Sequence, residues 1–99
     1  MVSLDELKKK LTPIFSNNGV TRAVVFGSYA KGTATNASDV DIVIETEPYT
    51  RWLWFFGILE MVVDALDMEV DLILKRSIIP NSSIEKEINE TGRVIYERK

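Results

Sequence analysis

The sequence of 99 residues contains no cysteine and no histidine. Without these two residue types, disulfides and the usual zinc sites are excluded. The lack of histidine also excludes every His-dependent triad or general base, so proton transfer must fall to Asp, Glu, Lys or Tyr. The absence of cysteine fits a cytoplasmic protein, and the charged, amphipathic sequence after Met1 shows no signal peptide.

An excess of positive charge is also missing. The formal net charge is −3 and the isoelectric point is near 4.9, whereas a stand-alone nucleic-acid binder is more often basic. We therefore do not expect nucleic acid as a direct partner. The longest apolar segment is broken by Glu60 and Asp64 and is too short to span a membrane. The length predicts a single domain over residues 1–99.

One stretch contains two apolar runs separated by a polar turn. The run Ala23–Phe26 predicts a buried strand that ends at Gly27-Ser28, and the run Val40–Ile44 predicts a second strand. Asp39 and Asp41 lie at the start of the second run. Because residues i and i+2 of a strand share a face, the two carboxylates are expected to project side by side, opposite the core-facing side chains.

These residues indicate nucleotide chemistry. Two neighbouring carboxylates repel each other, and Mg²⁺ relieves the repulsion because it prefers one or two carboxylates plus substrate phosphates. Gly27 allows a phosphate to approach the backbone closely. Amides at the start of the segment 28–31 could bind an anion, and Lys31 adds a positive charge. The pattern therefore combines a phosphate site with a metal-binding pair.

The string Gly27-Ser28, ten residues, then Asp39-Val40-Asp41 resembles the G-S-x10-D-x-D signature of the DNA polymerase beta-like nucleotidyltransferases. The fuller string G-S-Y-A-K-G-T-A…S-D-V-D-I is similar to the minimal nucleotidyltransferases, the MNT antitoxins that are paired with HEPN toxins. The resemblance extends over about residues 21–97. One departure is Tyr29, where many relatives carry Arg, so one phosphate contact is left open.

The resemblance implies a third carboxylate on a later strand, and we assign that role to Asp71, with Glu69 as the competing residue. It further implies that two Mg²⁺ ions bind Asp39, Asp41 and Asp71, and that Gly27, Ser28 and Lys31 hold the triphosphate of ATP. The implied reaction moves AMP from ATP to a hydroxyl, that of a tyrosine, on a HEPN toxin. This activity would make the chain an antitoxin.

Two alternatives remain open at this stage. The fold could serve as a binding module that neutralises its toxin by contact without chemistry. Nucleotidyl transfer to a small-molecule hydroxyl is the other alternative, although such acceptors usually go with a longer chain. The intact Ser28, Asp39 and Asp41 favour an enzyme.

The rest of the chain alternates between helical and strand patterns. Ser3 and Glu6 form a capping box before a helix. The further elements are predicted as strands over 20–26, 38–45, 69–74 and 94–96 and as helices over 51–67 and 83–90. This order predicts an α/β (α+β) fold, a small mixed β-sheet with helices packed on it, of the polymerase-beta-like nucleotidyltransferase kind.

The helix predicted over 51–67 carries two apolar stripes. The broader stripe predicts core packing and consists of Trp52, Phe55, Phe56, Leu59, Val62, Val63 and Leu66. The second stripe consists of Trp54, Ile58, Met61 and Ala65. A helix that is apolar on two sides is buried on two sides, so we expect Trp54, Ile58 and Met61 to contact another chain in a homo- or hetero-oligomer.

Overall fold

The protein, seen in a computed structural model, is described over residues 3–35, 38–47 and 52–98. These ranges contain helices and strands in the predicted alternating order. The helices are α1 (Leu4–Asn17), α2 (Ser28–Lys31), α3 (Trp52–Leu66) and α4 (Ser83–Thr91). The strands are β1 (Val20–Phe26), β2 (Val40–Thr46), β3 (Val70–Leu74) and β4 (Arg93–Glu97). The predicted fold class is confirmed.

The four strands form one mixed sheet in the order β3-β2-β1-β4. Strand β1 pairs antiparallel with both β2 and β4, while β2 and β3 are parallel. A parallel pair needs a crossover connection, and α3 supplies it. Strand β3 therefore lies at an edge of the sheet and pairs only with β2 among the described strands.

The larger core lies on the sheet face that α1 and α3 cover. Leu7, Leu11 and Phe15 of α1 are fully buried there. Val40, Ile42 and Ile44 of β2 are fully buried in the same cluster, as their alternation predicts. The side chains between them, at positions 41, 43 and 45, must point to the opposite face.

The opposite face carries a smaller apolar cluster of Val24, Phe26 and Val43, against which Ile88 of α4 packs. Phe26 lies directly across the sheet from Asp41. Opposed residues of an antiparallel pair share a face, so the Asp41 side chain stands at the end of this smaller cluster. The smaller cluster therefore lies next to the candidate site.

Helices α1 and α4 each begin after a serine that caps the first turn, as the sequence indicates. The Ser3 hydroxyl accepts a hydrogen bond from the Glu6 amide at 3.2 Å, which confirms the predicted capping residue of α1. Ser82 caps α4 in the same way by accepting from the Glu85 amide at 3.3 Å. Among the described residues, no helix combines the length and apolarity needed to cross a bilayer.

Helix α3 corrects part of the stripe assignment. Ile58 is fully buried in the larger core and cannot contact another chain, whereas Phe56 is 56% exposed. The buried line runs through Phe55, Ile58, Val62 and Leu66. These residues recur at i, i+3, i+7 and i+11. They therefore form one narrow line along α3 that faces the sheet. Arg51 and the Trp52 side chain lie outside the described part of the molecule.

The outer side of α3 remains apolar. Leu53 is 86%, Trp54 53% and Met61 40% exposed, so Trp54 and Met61 keep their predicted outward position. The Trp54 indole Nε1 donates a hydrogen bond to the Asn18 carbonyl at 2.8 Å. We call Leu53, Trp54, Phe56 and Met61 the outer α3 patch.

The two sides of α3 predict opposite responses to truncation. Ile58→Ala should lower the free energy of unfolding by about 2–5 kcal/mol, because it leaves a cavity in the larger core. Leu53→Ala should change it by about 0.5 kcal/mol or less, because the Leu53 side chain is 86% exposed. Urea unfolding of both variants measures the difference. Equal losses would show that the buried line has been placed wrongly.

Candidate functional site

Gly27 follows the last residue of β1 and adopts a backbone conformation that only glycine tolerates well, with φ +75°. A Cβ atom at this position would lie 2.7 Å from Oδ2 of Asp41 and 3.1 Å from Oε1 of Glu87. The first distance is too short for a real side chain, and the second is tight. Glycine is therefore favoured here by the backbone conformation and by the close Asp41 carboxylate.

The sheet register places the carboxylates of two strands next to each other. Asp41 of β2 is the direct partner of Asp71 in the parallel strand β3. In-register residues of neighbouring strands share a face, so both side chains project on the α4 side, at the same end of the sheet as Gly27. Asp39 precedes β2 and is exposed. Glu69 lies just before β3, where its carbonyl accepts from the Val40 amide.

Asp41 is the electrostatic centre of the site. Burial, followed by the charges of Asp71, Glu87 and Asp39, raises the pKa of the Asp41 carboxyl from 3.8 to about 6. All four contributions have the same sign, so the ionised form of Asp41 is disfavoured by every neighbour that acts on it. Glu69 is not among the groups that shift this pKa, which supports Asp71 as the third carboxylate.

The acidic side chains suit a cation. Arg22 pairs with Glu45 and Glu97, and Arg98 pairs with Glu47, so these three ion pairs do not neutralise Asp41 or Asp71. Three carboxylates that converge on one point are not found in those ranges. Mg²⁺ does not need such a cluster, since one or two carboxylates together with phosphates satisfy it. Asp41 with Asp71 or Asp39 offers that ligand type.

The remaining predicted site residues lie on α2 and differ in their placement. Ser28 is the first residue of α2, adjacent to Gly27, and is partly buried. Lys31 is exposed one turn later and lines an open groove beside Ser3 and the start of α1. Tyr29 is buried in the larger core, and its hydroxyl points to Met68 Sδ at 3.9 Å. The Tyr29 side chain thus contributes to the larger core.

Two side chains of α4 complete the surroundings of Gly27 and were not predicted from the sequence. Glu87 brings a further carboxylate to Gly27 and Asp41. The Thr91 hydroxyl accepts a hydrogen bond from the Gly27 amide at 2.9 Å. Their i, i+4 spacing puts them on one helix face, but nothing local to 83–91 indicates that this face meets a loop 64 residues earlier in the chain.

The family model described as "Polymerase beta, Nucleotidyltransferase" matches residues 9–99. The chain therefore belongs to the polymerase beta nucleotidyltransferase family, and it is a nucleotidyltransferase by fold and by the signature around Gly27 and Asp41. It is also 35% identical over 82 residues to the protein adenylyltransferase MntA of Thermococcus cleftensis. This alignment covers 79% of this chain and 83% of the relative.

Solved structures confirm the fold. A toxin–antitoxin crystal structure with AMP-PNP superposes with a TM-score of 0.76 at 23% identity and covers 93% of this chain and 74% of the other. A second match is a chain from the complex of a tri-AMPylated HEPN toxin of Shewanella oneidensis with MNT antitoxin. Its TM-score is 0.70 at 19% identity, and the superposition covers 96% of this chain and 73% of the other. At these identities the likeness establishes the architecture alone.

The raised pKa of Asp41 predicts how stability depends on pH without metal. The folded-state pKa of about 6 exceeds the unfolded value of 3.8, so the folded protein binds the proton more tightly. The contribution of Asp41 to stability is therefore fully present below the unfolded pKa and is lost as the pH rises through the folded pKa. Asp41→Asn should be more stable than the unmodified chain near pH 7, with the difference disappearing at low pH.

Urea unfolding in chelator at several pH values across this window tests the prediction. Other carboxylates also titrate there, so the quantity to follow is the difference between the variant and the unmodified chain. Asp64→Asn, which removes an exposed carboxylate on α3, is the matched control. A constant difference for Asp41→Asn from low to neutral pH would contradict the assignment.

Proposed function

We propose that this chain transfers AMP from ATP to a hydroxyl group of a HEPN-type toxin and acts as its antitoxin. The observation that carries the proposal is the pairing of Asp41 with Asp71 in neighbouring strands, with Gly27, just after β1, lying against the Asp41 carboxylate. Membership of the nucleotidyltransferase family supports the reaction type. The 35% identity to a protein adenylyltransferase supports AMP as the group transferred.

In this proposal the nucleotide binds at the C-terminal end of β1 and the N-terminal end of β2. Asp39 and Asp41 hold Mg²⁺·ATP, Gly27 and Ser28 lie against the triphosphate, and Lys31 contributes positive charge from the next turn. Bound Mg²⁺, two ions by the resemblance, would neutralise phosphate charge and polarise the phosphoryl oxygens.

Asp71 serves the acceptor side. A hydroxyl oxygen attacks the α-phosphorus of ATP, a new P–O bond forms, and the bond to the β,γ-phosphates breaks so that pyrophosphate leaves. The proton of the attacking hydroxyl passes to the Asp71 carboxylate. Asp71 is exposed and lies on the edge strand β3, so an acceptor can reach it from solvent.

The exposure of the site favours a protein acceptor. The chain provides one sheet with α4 beside the carboxylates and has no second domain in its described part to enclose a small acceptor. A partner protein that presents a hydroxyl, which we propose to be that of a tyrosine, would supply the missing side of the cleft. Such a partner would also exclude water from the reacting groups.

Variants of the carboxylates separate nucleotide binding from transfer. Mg²⁺·ATP should stabilise the unmodified chain by roughly 2.7 kcal/mol at a hundredfold excess over its dissociation constant, and Asp39→Asn with Asp41→Asn should abolish this effect. Asp71→Asn should retain the stabilisation but lower AMP transfer to a HEPN partner by about two orders of magnitude or more. The measurements are melting shifts and incorporation of labelled AMP.

Glu69→Gln is the matched control, because it removes a carboxylate two residues from Asp71, just before the same edge strand. It should leave both binding and transfer near normal. Loss of transfer in Glu69→Gln with near-normal transfer in Asp71→Asn would reverse the assignment. A melting shift that persists in the Asp39, Asp41 double variant would place the nucleotide elsewhere.

A contact-only antitoxin is the second candidate, and the outer α3 patch favours it. An apolar helix face of this kind can bind a partner without any chemistry. The two candidates differ in whether the toxin is modified. Mass spectrometry of a HEPN partner after incubation with this chain and Mg²⁺·ATP decides between them: neutralisation without added AMP would favour contact alone.

The outer α3 patch also predicts where the partner binds. Phe56→Ala should weaken binding to a HEPN partner by more than about 1 kcal/mol, because exposed aromatic residues are frequent interface anchors, while leaving the isolated chain folded. Ile84→Ala, which truncates an apolar residue 45% exposed on α4, is the control and should bind normally. Isothermal titration measures both, and unchanged binding by Phe56→Ala would remove the patch from the interface.

A further inference from the structure

Thr91 lies in the last turn of α4, and its hydroxyl makes two hydrogen bonds. The hydroxyl donates to the Glu87 carbonyl at 2.7 Å and accepts from the Gly27 amide at 2.9 Å. The first bond is local to the helix. The second joins α4 to the turn at which β1 ends and α2 begins, beside the Asp41 carboxylate.

The local bond by itself does not distinguish Thr91. Thr12 of α1 makes the same kind of bond, since its hydroxyl donates to the Lys8 carbonyl four residues earlier at 2.6 Å. Threonines within helices commonly do this. Thr91 differs because the bond to Glu87 orients its hydroxyl oxygen so that a lone pair meets the Gly27 amide.

The end of α4 is held close to the sheet at this point. A Cβ atom on Gly92 would lie 2.9 Å from Cγ1 of Val24 and 2.5 Å from the Ile88 carbonyl oxygen. The glycine thus permits direct contact between the helix end and β1. This contact sets the distance across which the Thr91 hydroxyl reaches Gly27.

Gly27 needs such an anchor. Glycine has the widest conformational freedom of any residue, and the helix that follows it is only four residues long. The Gly27 carbonyl is bound by the Lys31 amide within that short helix. Its own amide has no partner in the turn itself and is bound by Thr91 instead, so α4 restrains the residue that faces Asp41.

We propose that Thr91 is a positioning residue of the nucleotidyltransferase site. By binding the Gly27 amide it holds the Gly27-Ser28 turn beside Asp41, where Mg²⁺·ATP would bind. The same bond occupies the Gly27 amide, so this amide is not one of the groups that receive the phosphates. The inference rests on the proposed function, because it assigns Thr91 to the same site.

Thr91→Val tests the proposal, because it keeps the shape of the side chain and removes the hydroxyl. We expect Mg²⁺·ATP affinity or AMP transfer to fall about 10- to 100-fold, as is usual when a group that orients a ligand-binding residue is lost. Thr91→Ser retains the hydroxyl and should stay within about threefold of the unmodified chain. Thr12→Val removes the equivalent helix bond far from the site and should leave binding and transfer unchanged.

Amide hydrogen exchange at Gly27 supplies a readout that does not depend on activity. Exchange should accelerate about tenfold or more in Thr91→Val, and should remain as in the unmodified chain in Thr91→Ser and Thr12→Val. Unchanged exchange at Gly27 in Thr91→Val would overturn the inference. So would normal Mg²⁺·ATP binding and normal transfer by that variant.

The experiment separates this inference from the proposed function. If the unmodified chain neither binds Mg²⁺·ATP nor transfers AMP, the proposed function fails and the role of Thr91 in it fails as well. If the unmodified chain does both and Thr91→Val does so equally well, only the inference about Thr91 fails. Equal losses in Thr91→Val and Thr12→Val would likewise overturn it, because they would reflect helix stability alone.

Discussion

The close approach of the Asp41 carboxylate to the backbone of Gly27 is the contact on which the site depends. Any side chain at position 27 would occupy the space of that carboxylate, which lies 2.7 Å from the position of a Cβ atom. Strand β1 is therefore followed by a glycine, whose positive φ turns the chain into α2 at this point. The signature glycine is thus explained by its packing against Asp41.

This arrangement places several carboxylates close together. Burial of apolar side chains on the opposite face of the sheet offsets their repulsion. Asp39, Asp71 and Glu87 all disfavour the ionised form of Asp41. Val40 and Ile42, the neighbours of Asp41 in β2, are fully buried in the larger core. One face of β2 is therefore fixed by core packing, while its other face carries carboxylates that repel each other. Such locally unfavourable structure is common where function requires it.

The two faces of the sheet consequently have different tasks. Helices α1 and α3 cover the face that supplies most of the buried apolar side chains, whereas α4 covers the face that carries the carboxylates. Helix α4 is short, and it contributes Glu87 and Thr91 to the surroundings of Gly27. In a chain of this length, one helix both closes the second face of the sheet and takes part in the site.

The sequence by itself determined the element order, the two faces of β2 and the residues of the signature. These features follow from local periodicity and spacing, which act over a few residues. It assigned the third carboxylate to Asp71, with Glu69 as the competing residue, but only the register of β3 with β2 sets Asp71 beside Asp41. Tertiary packing likewise decided that Ile58 is buried and that Glu87 and Thr91 reach Gly27. Such contacts join residues distant in the chain, so their geometry depends on how whole elements dock.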